Sequence, residues 1–132
     1  MKILLAIFAL AALPLARPAL AADAPAAVKH VDAAAAEKLL SEDKSVLVLD
    51  IRTSKEFAGG HIAGAKNLDY YASDFEKQLG TLDRAKPVLV HCASGGRSGR
   101  SLDLFKKLKF QSVYHLDGGF NAWQRSGRPV QN

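Results

Sequence analysis

Val88-Leu89-Val90-His91-Cys92-Ala93-Ser94-Gly95-Gly96-Arg97-Ser98 is the stretch on which the reading of this chain turns. A β-branched and leucine run ends at a thiol, passes through a Gly-rich turn, and enters a helical pattern. A short continuous apolar run bounded by turn residues suits a strand buried on both faces, as in a parallel sheet. From Ser98 to Leu108, the residues Leu102, Phe105 and Leu108 share one helical face. Lys106, Lys107 and Lys109 fall on the other side or at the end, where cations suit the helix dipole and form a solvated face.

The same grammar repeats outward from this segment. Val46-Leu47-Val48-Leu49 ends at Asp50, and Val113-Tyr114-His115-Leu116 ends at Asp117-Gly118-Gly119. Val28–Val31 and Ala65–Leu68 are weaker strand candidates. Between them, Asp32 to Leu40 reads as a helix with Asp32 as its N-cap, and Phe75 to Leu79 as a short amphipathic one. A last helix over Phe120 to Arg125 is stopped by Gly127 and Pro129. Strands alternating with helices predict an α/β sheet with right-handed crossovers.

The chain has 132 residues, enough for one domain of ordinary size. Its formal charge of +5 is too small to argue for a nucleic-acid partner. Met1-Lys2, the apolar run Ile3 to Ala16 and the small residues Ala19 and Ala21 have the three-part layout of a secretory signal peptide. The run is shorter than the ~20 residues of a transmembrane helix; a retained anchor is the alternative. Cleavage after Ala21 would remove Lys2 and Arg17 and lower the charge from +5 to +3. Residues 22–29 read as an Ala/Pro-rich linker, and 30–130 as the folded domain. The expectation is an exported protein, periplasmic in a bacterium, with no membrane attachment after cleavage.

Cys92 is the single cysteine, so no intramolecular disulfide or Cys-rich metal site can form. A lone cysteine in an exported chain is either a buried, inert hydrophobe or a reactive thiol. Its neighbours favour reactivity. The turn after a strand's carboxyl end is where open α/β sheets bind ligands. Gly95 and Gly96 let the backbone curl so that the N–H groups of Ala93, Ser94 and the residues after them turn inward as an anion nest. The following helix adds its positive end, Arg97 a full charge, and Arg100, one turn on, a second anion contact. Such surroundings favour thiolate over thiol and would seat an anionic substrate beside the sulfur.

Cys92-Ala93-Ser94-Gly95-Gly96-Arg97-Ser98 resembles the active-site loop of the rhodanese sulfurtransferases. Asp50-Ile51-Arg52, Glu56-Phe57 and Gly60-His61-Ile62-Ala63-Gly64-Ala65 with Asn67 are similar to the family's upstream motif. Leu116-Asp117-Gly118-Gly119-Phe120 with Trp123, Gly127 and Pro129 is similar to its C-terminal motif. The resemblance runs from about Val31 to Val130. It implies a rhodanese-like three-layer α/β fold with a central, mainly parallel five-stranded sheet flanked by helices. It also implies a sulfurtransferase that moves sulfane sulfur from thiosulfate through a persulfide on Cys92 to cyanide or a thiol. No metal or organic cofactor is implied. The alternatives are a phosphatase or arsenate-handling enzyme on the same scaffold, and a non-catalytic persulfide relay or docking module. From Cys92 to Arg97 the loop has six residues, one fewer than the related phosphatases, which argues for sulfur over phosphate.

Other residues take supporting parts in this reading. Asp50 and Arg52 fall on one side of a strand end and are expected to pair and brace the loop. Glu56 pairs with an arginine or is solvated. His30, His61, His91 and His115 show no metal-ligand spacing. Phe120 and Trp123 read as core or lid of the last helix.

Overall fold

The computed structural model describes residues 27–132. The apolar N-terminal run read as a signal peptide lies outside them, as does most of the linker. The order is β1 (Ala27–Val31), α1 (Ala33–Glu42), β2 (Leu47–Asp50), α2 (Ser54–Ala58), β3 (Lys66–Asn67), α3 (Phe75–Gly80), β4 (Val88–His91), α4 (Gly96–Lys107), β5 (Ser112–Leu116) and α5 (Gly119–Arg125). The strands form one five-stranded sheet in the order β1-β5-β4-β2-β3, and every pairing is parallel.

The apolar runs form central strands because both faces of the sheet are covered. Leu49, Val88, Val90 and Val113 pack with Phe75 and Leu79 of α3 and Phe105 of α4. Val48 and Leu89, one residue out of step, point to the opposite side with Ala33 and Ala36 of α1 and Phe120 and Trp123 of α5. Asp32 caps α1 by accepting the Ala35 N–H at 2.8 Å. The three layers match the architecture expected from the sequence.

Three local differences have physical causes. The edge strand β1 begins at Ala27, so residues 27–29, read as linker, belong to the sheet through pairing with Ser112, Val113 and Tyr114. Helix α4 begins two residues before Ser98, because Gly95 adopts a left-handed conformation at φ 111° and turns the chain directly into the helix. Helix α2 carries too few apolar residues to show a period. A capping box defines it instead: Glu56 N–H donates to Thr53 Oγ1 at 3.2 Å, and Thr53 N–H donates to Glu56 Oε2 at 2.9 Å.

The chain leaves β2 toward β3 and leaves β4 in the other direction toward β5. The carboxyl ends of β2 and β4 therefore flank the point where the winding reverses, the usual ligand position in such sheets. Cys92 follows β4 there, and Arg52 to Glu56 follow β2.

Candidate active site

Cys92 is the only cysteine and is 1% exposed, at the floor of the loop between β4 and α4. Gly95 N–H donates to its Sγ at 3.1 Å, and Ser98 Oγ lies 3.4 Å from the same sulfur. Burial is the strongest influence on the thiol and opposes its ionisation. The Ser98 hydroxyl and the backbone N–H groups of Ser98, Gly95 and Ser94 together outweigh burial, and the pKa falls below its ordinary value.

The inward aim of these amides is imposed from outside the loop. Phe120 N–H donates to Cys92 O, and Asn121 N–H to Ala93 O, each at 2.9 Å. In a trans peptide the next N–H points opposite to the carbonyl. Fixing the carbonyls of Cys92 and Ala93 outward on the first turn of α5 thus turns the N–H groups of Ala93 and Ser94 toward the other side. The approach requires glycine at 119: a Cβ there would lie 2.5 Å from Ala93 O and 2.7 Å from Cys92 O. The Asp-Gly-Gly motif is in this sense a buttress for the loop.

Arg97 does not reach into the cradle unaccompanied. Its Nη1 and Nη2 each donate to a Glu56 carboxylate oxygen at 2.9 Å. The Arg97 bonds are the main reason that Glu56 is pulled from an ordinary 4.5 down to about 2. Arg97 is raised in turn, by the Glu56 carboxylate first. The forked pair fixes the guanidinium and offsets much of its charge. Arg97 also lies over Tyr71, 5.7 Å from the ring centroid, and Arg100 over Tyr70 at 6.0 Å. Tyr71, 66% exposed, forms part of the rim with these arginines, a role the sequence reading did not assign. Ser94 and Gly96 are exposed; Arg100 lies on the outer side of α4 with its guanidinium near the loop.

Asp50 and Arg52 pair in the core, with Arg52 Nη2 donating to Asp50 Oδ2 and to Gly60 O, both at 2.7 Å. The guanidinium stacks on Phe120 at 4.0 Å, and Asn67 Nδ2 donates to the carbonyls of Asp50 and Arg52. The pair therefore supports the loop through Phe120 rather than by contact with Cys92. His91 packs beside it: its Nδ1–H donates to Cys92 O at 3.0 Å, while its Nε2, 3.8 Å from Asp50 Oδ2, has no hydrogen-bond partner. Burial holds His91 neutral by pushing its pKa down, against the pull of Asp50. Trp123 is core, its Nε1–H donating to Pro129 O at 2.9 Å.

His115 is a second residue of the site, besides Tyr71, to which the sequence assigned no role. Its Nε2 is 2.7 Å from Ser98 Oγ, and its Nδ1 is 2.8 Å from Asp117 Oδ1. His30 Nδ1 reaches the same carboxylate oxygen at 2.8 Å. These three side chains are the one group among the described residues whose ligand atoms, all within 4.8 Å, could approach a metal ion. They are already satisfied by one another: one carboxylate oxygen accepts from both rings. A groove of about 470 Å³ lined by Leu40, Val48, Ile62 and Trp123 lies away from the Cys92 loop.

The Rhodanese-like domain model matches residues 32–126. The chain is 37% identical over 87 residues to the thiosulfate sulfurtransferase GlpE of Shewanella oneidensis, covering 66% of this chain and 84% of that protein. It is 36% identical over 86 residues to the thiosulfate sulfurtransferase GlpE of Pseudomonas putida, covering 64% and 76%. A rhodanese-related protein of Thermoplasma volcanium has a similar crystal structure, with a TM-score of 0.69 and 29% identity over 78% of this chain and 97% of that one.

Proposed function

The chain belongs to the rhodanese-like domain family, and from that membership we propose that it transfers sulfane sulfur through a persulfide on Cys92. The donor is thiosulfate or a similar small anion, and the acceptor a thiol or cyanide. The observation that carries this reading is the cradle of Ser94, Gly95 and Ser98 donors around the sulfur, which lowers the thiol's pKa. The names of the curated relatives support the same substrate class.

In the first step, the Cys92 thiolate attacks the outer sulfur of thiosulfate. The donor's S–S bond breaks and sulfite leaves with its electron pair. The amides that held the thiolate then face the terminal sulfur of the persulfide anion. In the second step, an acceptor nucleophile attacks that sulfur and returns Cys92 as thiolate. Charge is conserved in both transfers, so no redox partner is needed. The scheme predicts ping-pong kinetics. With Arg97 engaged by Glu56, the backbone carries most of the anion binding.

Intact mass after incubation with thiosulfate tests the proposal. The expected result is an adduct of one sulfur atom, discharged by cyanide and absent in Cys92→Ser. A wild-type mass that does not change would overturn it. The proposal includes export, supported by the signal-like layout of residues 1–21. Fractionation of the native host with N-terminal sequencing would show Ala22 first in the exported fraction; a full-length cytosolic chain would contradict it.

A further inference from the structure

A continuous line of polar atoms runs from the reactive sulfur to the surface. Cys92 Sγ meets Ser98 Oγ at 3.4 Å, Ser98 Oγ meets His115 Nε2 at 2.7 Å, and His115 Nδ1 meets Asp117 Oδ1 at 2.8 Å. Ser98 and His115 are buried, while Asp117 is exposed. The segments that supply the line, the active loop, α4 and β5, are brought together by the parallel pairing of β4 and β5.

Hydrogen counting assigns roles along this line. An ionised carboxylate only accepts, so the Nδ1 atoms of both His30 and His115 must carry hydrogens. Asp117 is ionised, its pKa lowered first by the bond from His30 and further by that from His115. A neutral His115 therefore presents a bare Nε2 toward Ser98. Ser98 has one hydrogen and three acceptors in reach: His115 Nε2 at 2.7 Å, and Cys92 Sγ and Gly95 O at 3.4 Å. With His115 neutral, the hydroxyl hydrogen goes to Nε2. With His115 protonated, Nε2–H donates to Ser98, and the hydroxyl hydrogen is released to the sulfur.

We propose that His115, held by Asp117, is a positioning residue that takes up the Cys92 proton through the Ser98 hydroxyl and then directs that hydroxyl at the thiolate. The inference rests on the sulfurtransferase reading for its purpose and names how that site ionises. The step balances: the Cys92 S–H bond breaks and a Ser98 O–H bond forms, while the original Ser98 O–H bond breaks and an Nε2–H bond forms. Neutral thiol plus imidazole become thiolate plus imidazolium, and the Asp117 carboxylate faces the new positive charge. Besides Asp117 and Cys92, the titratable groups facing His115 are His30 on β1, with ring centroids 5.2 Å apart, and His91 on β4. His91 is held neutral by burial, and His30 shares the Asp117 carboxylate oxygen with His115.

The test is the pH profile of Cys92 thiolate absorbance and iodoacetamide alkylation in wild type, His115→Gln and Asp117→Asn. The wild-type profile is expected to carry two ionisations, thiol and imidazole. His115→Gln, which cannot take a proton, should reduce it to one at higher pH and slow alkylation at neutral pH about tenfold. Asp117→Asn alters an exposed side chain and should move the profile the same way by a smaller factor, so the test does not depend on a buried substitution folding. Both variant profiles superimposing on wild type would overturn the proposal. A wild type with two ionisations that gains no sulfur from thiosulfate would instead overturn the substrate reading alone. A protein that gains sulfur with a single wild-type ionisation would overturn the relay alone.

Discussion

Two arginines sit a short distance along the chain from the same reversal point in the sheet, and each is gripped by a carboxylate. Arg52 is 5% exposed, and Asp50, its partner, is fully buried. Arg97 and Glu56 have side chains 13% and 36% exposed. The first pair is locked inward, with its spare donor used on Gly60 O and its face on Phe120. The second pair spans 41 residues of sequence and holds a charge at the mouth of the Cys92 loop. The difference separates two jobs for one chemistry. A buried pair fixes a frame and is costly to break, whereas a rim pair contributes little stability and instead sets the field at the mouth of the Cys92 loop.

Substitutions should expose that separation. Arg52→Leu leaves the Asp50 carboxylate buried without its partner, and the expected loss is about 3–5 kcal/mol by urea unfolding. A loss below about 1 kcal/mol would place Arg52 in the same class as Arg97. Arg97→Gln should slow persulfide formation on the order of tenfold while shifting unfolding by about 1 kcal/mol or less. Equal effects on both readouts would erase the distinction.

Acid should dissect the two regions in sequence. His91, beside Asp50, has its pKa lowered from 6.5 by burial, so its contribution to stability is complete above 6.5 and is lost as pH falls below it. Glu56 is lowered from 4.5 to about 2, so its contribution is complete above 4.5 and drains as pH falls toward 2. Unfolding midpoints measured against pH should therefore decline in two stages. His91→Asn, which retains a donor for Cys92 O, should flatten the first, and Glu56→Gln the second. The smallest effect expected is that of Tyr71→Ala: an exposed ring over Arg97 is worth about 0.5–1 kcal/mol, and persulfide formation should change by less than about fivefold.

The contrast also explains what could be read in the chain beforehand. Val46–Asp50, Val88–Cys92 and Val113–Leu116 announce themselves because central strands must be apolar on both faces. Asp32 and the Leu102, Phe105, Leu108 face are local signals of the same kind. Cys92 stands out as a lone thiol before two glycines. Helix α2 was also legible, since Thr53-Ser54-Lys55-Glu56 is a capping box, but without an apolar period it is easily read as loop. That Glu56 pairs with an arginine was among the expectations, but that the arginine is Arg97 was not legible, nor was the line through His115. His30 and Asp117 are 87 residues apart, and only the parallel pairing of β1 with β5 brings them together. The inward turn of the loop amides likewise depends on α5 holding the carbonyls of Cys92 and Ala93, a tertiary contact that no local motif encodes.

The cradle around Cys92 lowers the pKa of its thiol despite burial. Ultraviolet titration of the wild-type thiol, with Cys92→Ser as the blank, measures this directly. The expected midpoint lies below the roughly 8.5 of free cysteine. A midpoint at or above that value would mean that burial has prevailed over the Ser94, Gly95 and Ser98 donors, and the chain would carry a rhodanese scaffold without its nucleophile.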